Sequence, residues 1–147
     1  NKMYRMGDRA QAGPLVYTVL DTEWLDQLGD GPTARLPQNR FLAVRITVTN
    51  GGAATANVPP AILISASGTE YREVEDASPL PEWLGYIRSV NAADTLHGRM
   101  LFDAPPGDYQ LRLRSGTSDP DRELAITVAL PLQLGSPRIP AAAGAQQ

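Results

Sequence analysis

Cysteine is absent from the 147-residue chain. Neither a disulfide framework nor a cysteine-ligated zinc site can hold the fold, although this absence fits any cellular compartment. Histidine occurs once, as His97, which excludes two-histidine metal motifs such as H-E-x-x-H, and no G-x-S-x-G elbow is present. A basic surplus is also lacking: 13 basic residues stand against 16 acidic ones, the net charge is −3, and Lys2 is the single lysine. A nucleic-acid binder would carry the opposite balance. No apolar run nears the roughly 18 residues of a membrane-spanning helix, and residues 1–13 lack the zones of a signal peptide. The sequence reads as that of a soluble domain. Because it opens at Asn1 without an initiator methionine, the expectation is an upstream targeting or anchoring segment removed from the mature chain.

What the chain does contain is period-two alternation. In "RFLAVRITVTNGG", Leu42, Val44, Ile46 and Val48 share one face, and Phe41, Ala43, Arg45, Thr47 and Thr49 the other. Similar runs occupy Leu15–Thr22, Ala61–Ser65, Leu96–Asp103 and Tyr109–Arg114. A last run holds Leu124, Ile126, Val128, Leu130, Leu132 and Leu134 in phase. Gly29-Asp30-Gly31-Pro32, Asn50-Gly51-Gly52, Pro59-Pro60, Ser67-Gly68 and Pro105-Pro106-Gly107-Asp108 punctuate them, and Asn50-Gly51 suits turn positions with φ > 0. About seven to nine short strands so spaced predict an all-β, antiparallel sandwich. Pro131 cannot donate to a ladder, so the last run is an edge strand or leaves the sheet there.

The length suits one domain. Residues 1–13 read as an N-terminal arm and first strand, 14–134 as the β-sandwich, and 135–147, "GSPRIPAAAGAQQ" from Gly135, as a low-complexity tail. One stretch departs from the pattern. "EYREVEDASPLPEWLGYIR", from Glu70 to Arg88, begins as a polar strand, meets Pro79 and Pro81, and offers a short helical turn near 80–87; as a whole it reads as a long connection between sheets.

The segments "MGDRAQAGPLVYTVLDTEW", "RFLAVRITVTNGG", "SGTEY", "AADTLHGRMLFDAP" and "YQLRL" follow in an order that resembles a family of bacterial exported and lipoprotein-associated domains, the domain of unknown function numbered 4352. The resemblance covers roughly residues 4 to 130. It implies an immunoglobulin-like β-sandwich, related to mycobacterial immunoprotective extracellular antigens, and an export route. It implies no catalytic residues. Gly7-Asp8, Ile46 to Asn50, and Gly98 to Pro105 match the family pattern, whereas Ala92-Ala93-Asp94-Thr95 stands where Pro-Gly is expected.

His97 is out of phase with Leu96, Met100 and Phe102 and should point outward, without an evident serine or carboxylate partner. His97 and Met100, with Met3 and Met6, have ligand types that suit copper, yet residues three apart on a strand face opposite sides. Met100 reads as core filler, Met3 and Met6 as a mobile arm. Glu70, Glu73, Glu75 and Asp76, and separately Asp119, Asp121 and Glu123, supply oxygen ligands for calcium but no EF-hand pattern. No metal or cofactor is expected.

Binding candidates remain. Trp24, Trp83 and Tyr86 offer an aromatic platform, or plugs for the ends of the sandwich. Arg45, Arg99, Arg112 and Arg114 lie on polar phases and would form an Arg-bearing outer face if their strands are neighbours, or a solvated face paired with carboxylates. The reading is a non-catalytic extracytoplasmic binding or interaction module whose partner is a protein, peptide or saccharide at the cell envelope. It takes no nucleic acid and meets the membrane only through a removed N-terminal anchor. The alternatives are a carboxylate-based hydrolase and a structural spacer of an envelope protein.

Overall fold

A computed structural model describes residues 2–117 and 119–133. Leu134 and the tail assigned to 135–147 lie outside them. Among the described residues eleven strands form two facing sheets and a small ribbon. The first sheet has the order β1 (Met3–Tyr4), β11 (Ala125–Leu130), β10 (Tyr109–Arg114), β6 (Ile62–Ser65) and β7 (Glu70–Arg72). The second runs β2 (Ala10–Ala12), β3 (Leu15–Leu25), β4 (Phe41–Asn50) and β9 (Thr95–Asp103), and β5 (Ala56–Asn57) pairs with β8 (Ser89–Val90). All pairings are antiparallel except β1 on β11.

The alternation read from β4 is realised. Leu42, Val44, Ile46 and Val48 are buried against Leu63, Leu111, Leu113 and Val128 of the facing sheet. At its start the strand is buried on both faces, because Phe41 and Ala43 join Leu28, Ala77, Leu80 and Leu101 in a second cluster over the outer side. Half-burial therefore holds only for the later part of the strand.

On β3, continued alternation after Leu15, Tyr17 and Val19 would send Asp21 and Glu23 into the core. A β-bulge between Val19 and Asp21 prevents this: Leu20 is extruded, Thr22 and Trp24 turn inward opposite Val44 and Leu42, and Asp21 and Glu23 turn outward. One extra residue thus resolves a conflict between pattern and burial.

The segment 73–84 covers the free edge of β9. Val74 donates to the Leu101 carbonyl, Leu84 to Arg99, and Arg99 to Glu82. This hides an edge that would otherwise invite pairing with another chain. No helical turn forms near 80–87. Pro79 and Pro81 lack donors, two successive turns close from Leu80 to Ala77 and from Trp83 to Leu80, and Trp83 then bridges Arg99 in parallel. Consecutive side chains diverge as on a strand: Trp83 enters the outer cluster and Leu84 the main core. Gly98 permits the crossing, since a Cβ there would lie 2.6 Å from the Glu82 carbonyl oxygen and 2.9 Å from Leu84.

The strand β11 ends at Leu130, so Pro131 marks its departure from the sheet rather than an edge strand, and Leu132 N–H is held by Asp108 at 2.6 Å. The N-terminal arm is fixed rather than mobile. Met3 lies in β1 beside Thr127, and Met6 packs on the core. Asn50-Gly51 likewise serves otherwise than expected: neither Asn50, Gly51 nor Gly52 has positive φ. Instead the buried Asn50 carboxamide donates to Ala54 and Val90 carbonyls and accepts from Gly52 N–H, tying three segments together.

Candidate functional site

A groove of about 770 Å³ opens on the outer face of the five-stranded sheet, at the end where β6 and β10 meet their turns. Its floor is one cross-strand row, Ile64, Gln110 and Ala129, given by the register of β6, β10 and β11. Strands about 4.8 Å apart make that row roughly 10 Å wide. Small side chains at Ala129 and Ala66 keep the floor low, and turns form the walls.

The first wall is the turn Arg5–Asp8. Asp8 N–H donates to the Arg5 carbonyl, Gly7 has φ 91° at the third position, and the Asp8 carboxylate accepts from Arg5 N–H at 2.8 Å. Only glycine readily takes that third position of a type II turn, which explains Gly7-Asp8 as a motif. The second wall is the hairpin loop Ala66–Gly68, closed by Gly68 N–H to the Ser65 carbonyl and by Ser65 N–H to Thr69, with Gly68 at φ 89°. Asp108 and Pro131 stand at the remaining side.

Beneath the groove the Tyr109 hydroxyl donates to the Pro105 carbonyl, while its ring meets Trp24 at 6.3 Å and Tyr71 edge-on at 6.0 Å. Burial pushes the Tyr109 hydroxyl above its usual pKa. This aromatic cluster closes the end of the sandwich.

The sequence-derived candidates do not converge on one site. Trp24 belongs to that plug, and Trp83 to the outer cluster on the other sheet. Tyr86 is half-buried beside Ile87, which is 95 % exposed. Arg45 and Arg99 are direct cross-strand neighbours on the four-stranded sheet, whereas Arg112 and Arg114 lie on the five-stranded one. A single Arg-bearing face is therefore not formed, because β4–β9 and β10 belong to opposite layers.

Each arginine is also engaged. Arg45 pairs with Glu82 and, at 3.3 Å, with Asp21; the Glu82 carboxyl is held below its usual pKa by the Arg45 hydrogen bond and charge. Arg99 reaches Glu23 at 3.0 Å and the Pro81 carbonyl. Arg112 lies 3.7 Å from Glu70, and Arg114 donates to the Pro60 carbonyl. The bulge at Leu20 turns Asp21 and Glu23 outward and so makes their pairings with Arg45 and Arg99 possible.

His97 is exposed, and Met100 is buried in the core. The acidic runs disperse: Glu73 is buried against Arg88, Asp76 holds Ser78, and Glu123 accepts from Ser115 and from Gly116 N–H. Among the described residues no group of three or more His, Asp or Glu is placed to hold a metal ion.

Sequence reasoning missed the groove and the Arg88–Glu73 pair. Gly7-Asp8 and Pro131 were the available signals for the first. For the second there was none, since Arg88 follows an exposed Ile87 and its partner lies across a connection.

Two facing antiparallel sheets with a turn-walled groove define a β-sandwich domain with a surface cleft. The chain belongs to the family described as domain of unknown function DUF4352, which matches residues 4–121. It is similar in structure to the yjhA protein from Bacillus subtilis, with TM-score 0.69 and 15 % identity over 87 % of this chain and 99 % of that one. It also resembles ycdA from Bacillus subtilis, described as a candidate lipoprotein, with TM-score 0.65 and 16 % identity over 84 % of this chain and 38 % of that one. An uncharacterized beta-sandwich protein from Clostridium difficile aligns with TM-score 0.51 and 12 % identity over 88 % of this chain and 95 % of that one. At these identities the likeness is one of fold. No curated protein matches the sequence.

Proposed function

We propose that this chain is a non-catalytic binding module at the cell envelope, with the groove over Ile64, Gln110 and Ala129 as its ligand site. The observation that carries this reading is the groove itself: apolar side chains at Ile64 and Ala129 flank the Gln110 amide, and apolar surface with a few placed polar groups is the usual build of a recognition site. Of the two carboxylates on its rim, Asp8 holds its own turn and Asp108 holds the chain leaving β11, each through a backbone N–H, a scaffolding role that supports binding over hydrolysis. The likeness to a candidate lipoprotein supports the envelope.

An immunoglobulin-like connectivity accords with this. Taking β3, β4, β6, β9, β10 and β11 as strands A, B, C, E, F and G, one sheet reads A-B-E and the other G-F-C. The Tyr109 hydroxyl bonding four residues upstream at the start of β10 corresponds to the tyrosine corner of such domains. Their ends commonly carry the binding loops.

Peptides selected from a random display library against the full chain provide the test. Selected ligands should shift the amide resonances of Ile64, Gln110 and Ala129, and Ala129→Trp should abolish binding while leaving the melting temperature unchanged. Ligands that shift only other surfaces overturn the site. Recovery of the native protein from cytoplasm rather than envelope fractions overturns the location.

A further inference from the structure

The geometry points to an extended peptide segment of a partner protein, apolar with one basic side chain, as the occupant of the groove. This deepens the reading above and rests on the groove being the ligand site. The floor row alternates an apolar, an amide and a small side chain across three strands, and Gln110 is exposed at its centre. An amide both donates and accepts, as a peptide backbone lying above it does. Ile64 on one side and Ala129 on the other then receive apolar side chains.

The rim sets the charge. Asp8 and Asp108 each commit one oxygen to a backbone N–H, at 2.8 and 2.6 Å, and keep the other. Neither takes part in an ion pair among the described residues, in contrast with Asp21, Glu23, Glu70, Glu73 and Glu82. Arg5 sits on the same turn as Asp8 and offsets its charge, which leaves Asp108, across the groove, without compensation. The net charge of −3 adds attraction for a cation approaching from solution.

A saccharide fits less well, because little aromatic surface is offered. Tyr109 is the one aromatic residue of the lining and is only 6 % exposed, and Trp24, Trp83 and Tyr86 are not part of it. An anionic lipid surface would meet the rim carboxylates and be repelled.

Three peptides of equal length test this, each alternating valine and threonine around a central lysine, glutamine or glutamate, titrated into the isotope-labelled full chain. The lysine peptide should shift Ile64, Gln110 and Ala129 saturably and bind about two- to fivefold more tightly than the glutamine peptide, the advantage of one exposed ion pair. The glutamate peptide should bind more weakly still, and the preference should shrink with added salt. Asp108→Asn should bring the lysine and glutamine peptides to equal affinity without lowering the melting temperature, because the asparagine oxygen still accepts from Leu132 N–H. Arg5→Gln should strengthen the lysine peptide. Equal or tighter binding of the glutamine or glutamate peptide at the groove overturns the cationic occupant while leaving the groove a ligand site. If none of the three shifts the groove, the extended-peptide occupant is overturned, and the site itself is judged by the library-selected ligands.

Discussion

Arg88 and Glu73 meet as a bidentate pair, Nη1 to Oε1 at 2.8 Å and Nη2 to Oε2 at 2.7 Å, with side chains 3 % and 0 % exposed. The arginine also donates to the Gly85 and Pro59 carbonyls, and the glutamate accepts from Ala61 N–H. One buried pair thereby ties the two ends of the β7–β8 connection to each other and to the β5–β6 connection. Glu73→Ala leaves a buried guanidinium uncompensated and should cost about 3–5 kcal/mol in urea unfolding. Replacing both partners, Glu73→Leu with Arg88→Met, should cost clearly less than either single removal, since no unpaired charge remains.

Ala93 occupies positive φ, at 63°, as the third residue of a turn closed by Asp94 N–H to the Asn91 carbonyl. The turn therefore holds a residue that is strained in it. Ala93→Gly should raise stability by about 1 kcal/mol, read as a higher denaturation midpoint at unchanged slope. A lower midpoint would mean that the methyl group contributes packing that outweighs the strain.

Gly98→Ala tests the cover over β9. The new Cβ would meet the Glu82 carbonyl oxygen and Leu84, so the crossing segment must move away. A loss of about 1–3 kcal/mol is expected, together with faster hydrogen exchange at Leu84 and Val74, whose amides bond to β9.

Tyr17 gives the pH dependence. Its buried hydroxyl donates to the Arg114 carbonyl at 2.6 Å, and burial pushes its pKa well above the ordinary 10.0, against the opposing charges of Arg88 and Arg114. The unfolded chain releases this proton at lower pH than the folded one. Stability is therefore full below about pH 10 and falls above it, by up to about 1.4 kcal/mol per pH unit for this group. Tyr17→Phe should flatten the alkaline decline, at a cost of about 1 kcal/mol near neutrality for the lost hydrogen bond. Parallel alkaline unfolding curves for the two proteins would remove Tyr17 as the cause.

The strands were legible where burial and alternation agree. In β4 as far as Val48, and in β9 and β10, every inward residue is apolar, and the pattern alone orients them. The bulge on β3 had a readable sign, because alternation without it buries Asp21 and Glu23. The long connection between the sheets was legible as such, but what it covers was not, since the residues it meets, Leu101, Arg99 and Ala61, are remote in sequence and none of its own side chains announces them. The groove was hidden for a related reason: its walls are turns from three parts of the chain, and its floor residues, Ile64, Gln110 and Ala129, come from three separate strands and form no motif together.

The tethering of Asn50 bears on how this protein ages. Deamidation of an Asn-Gly pair needs the following backbone nitrogen to swing onto the side-chain carboxamide, yet here Gly51 N–H is held by the Pro14 carbonyl at 2.8 Å and the carboxamide by three other bonds. The folded chain suppresses a reaction that the same dipeptide undergoes readily once released. Converted Asn50 in a preparation is thus a lasting chemical trace of molecules that have at some time been unfolded.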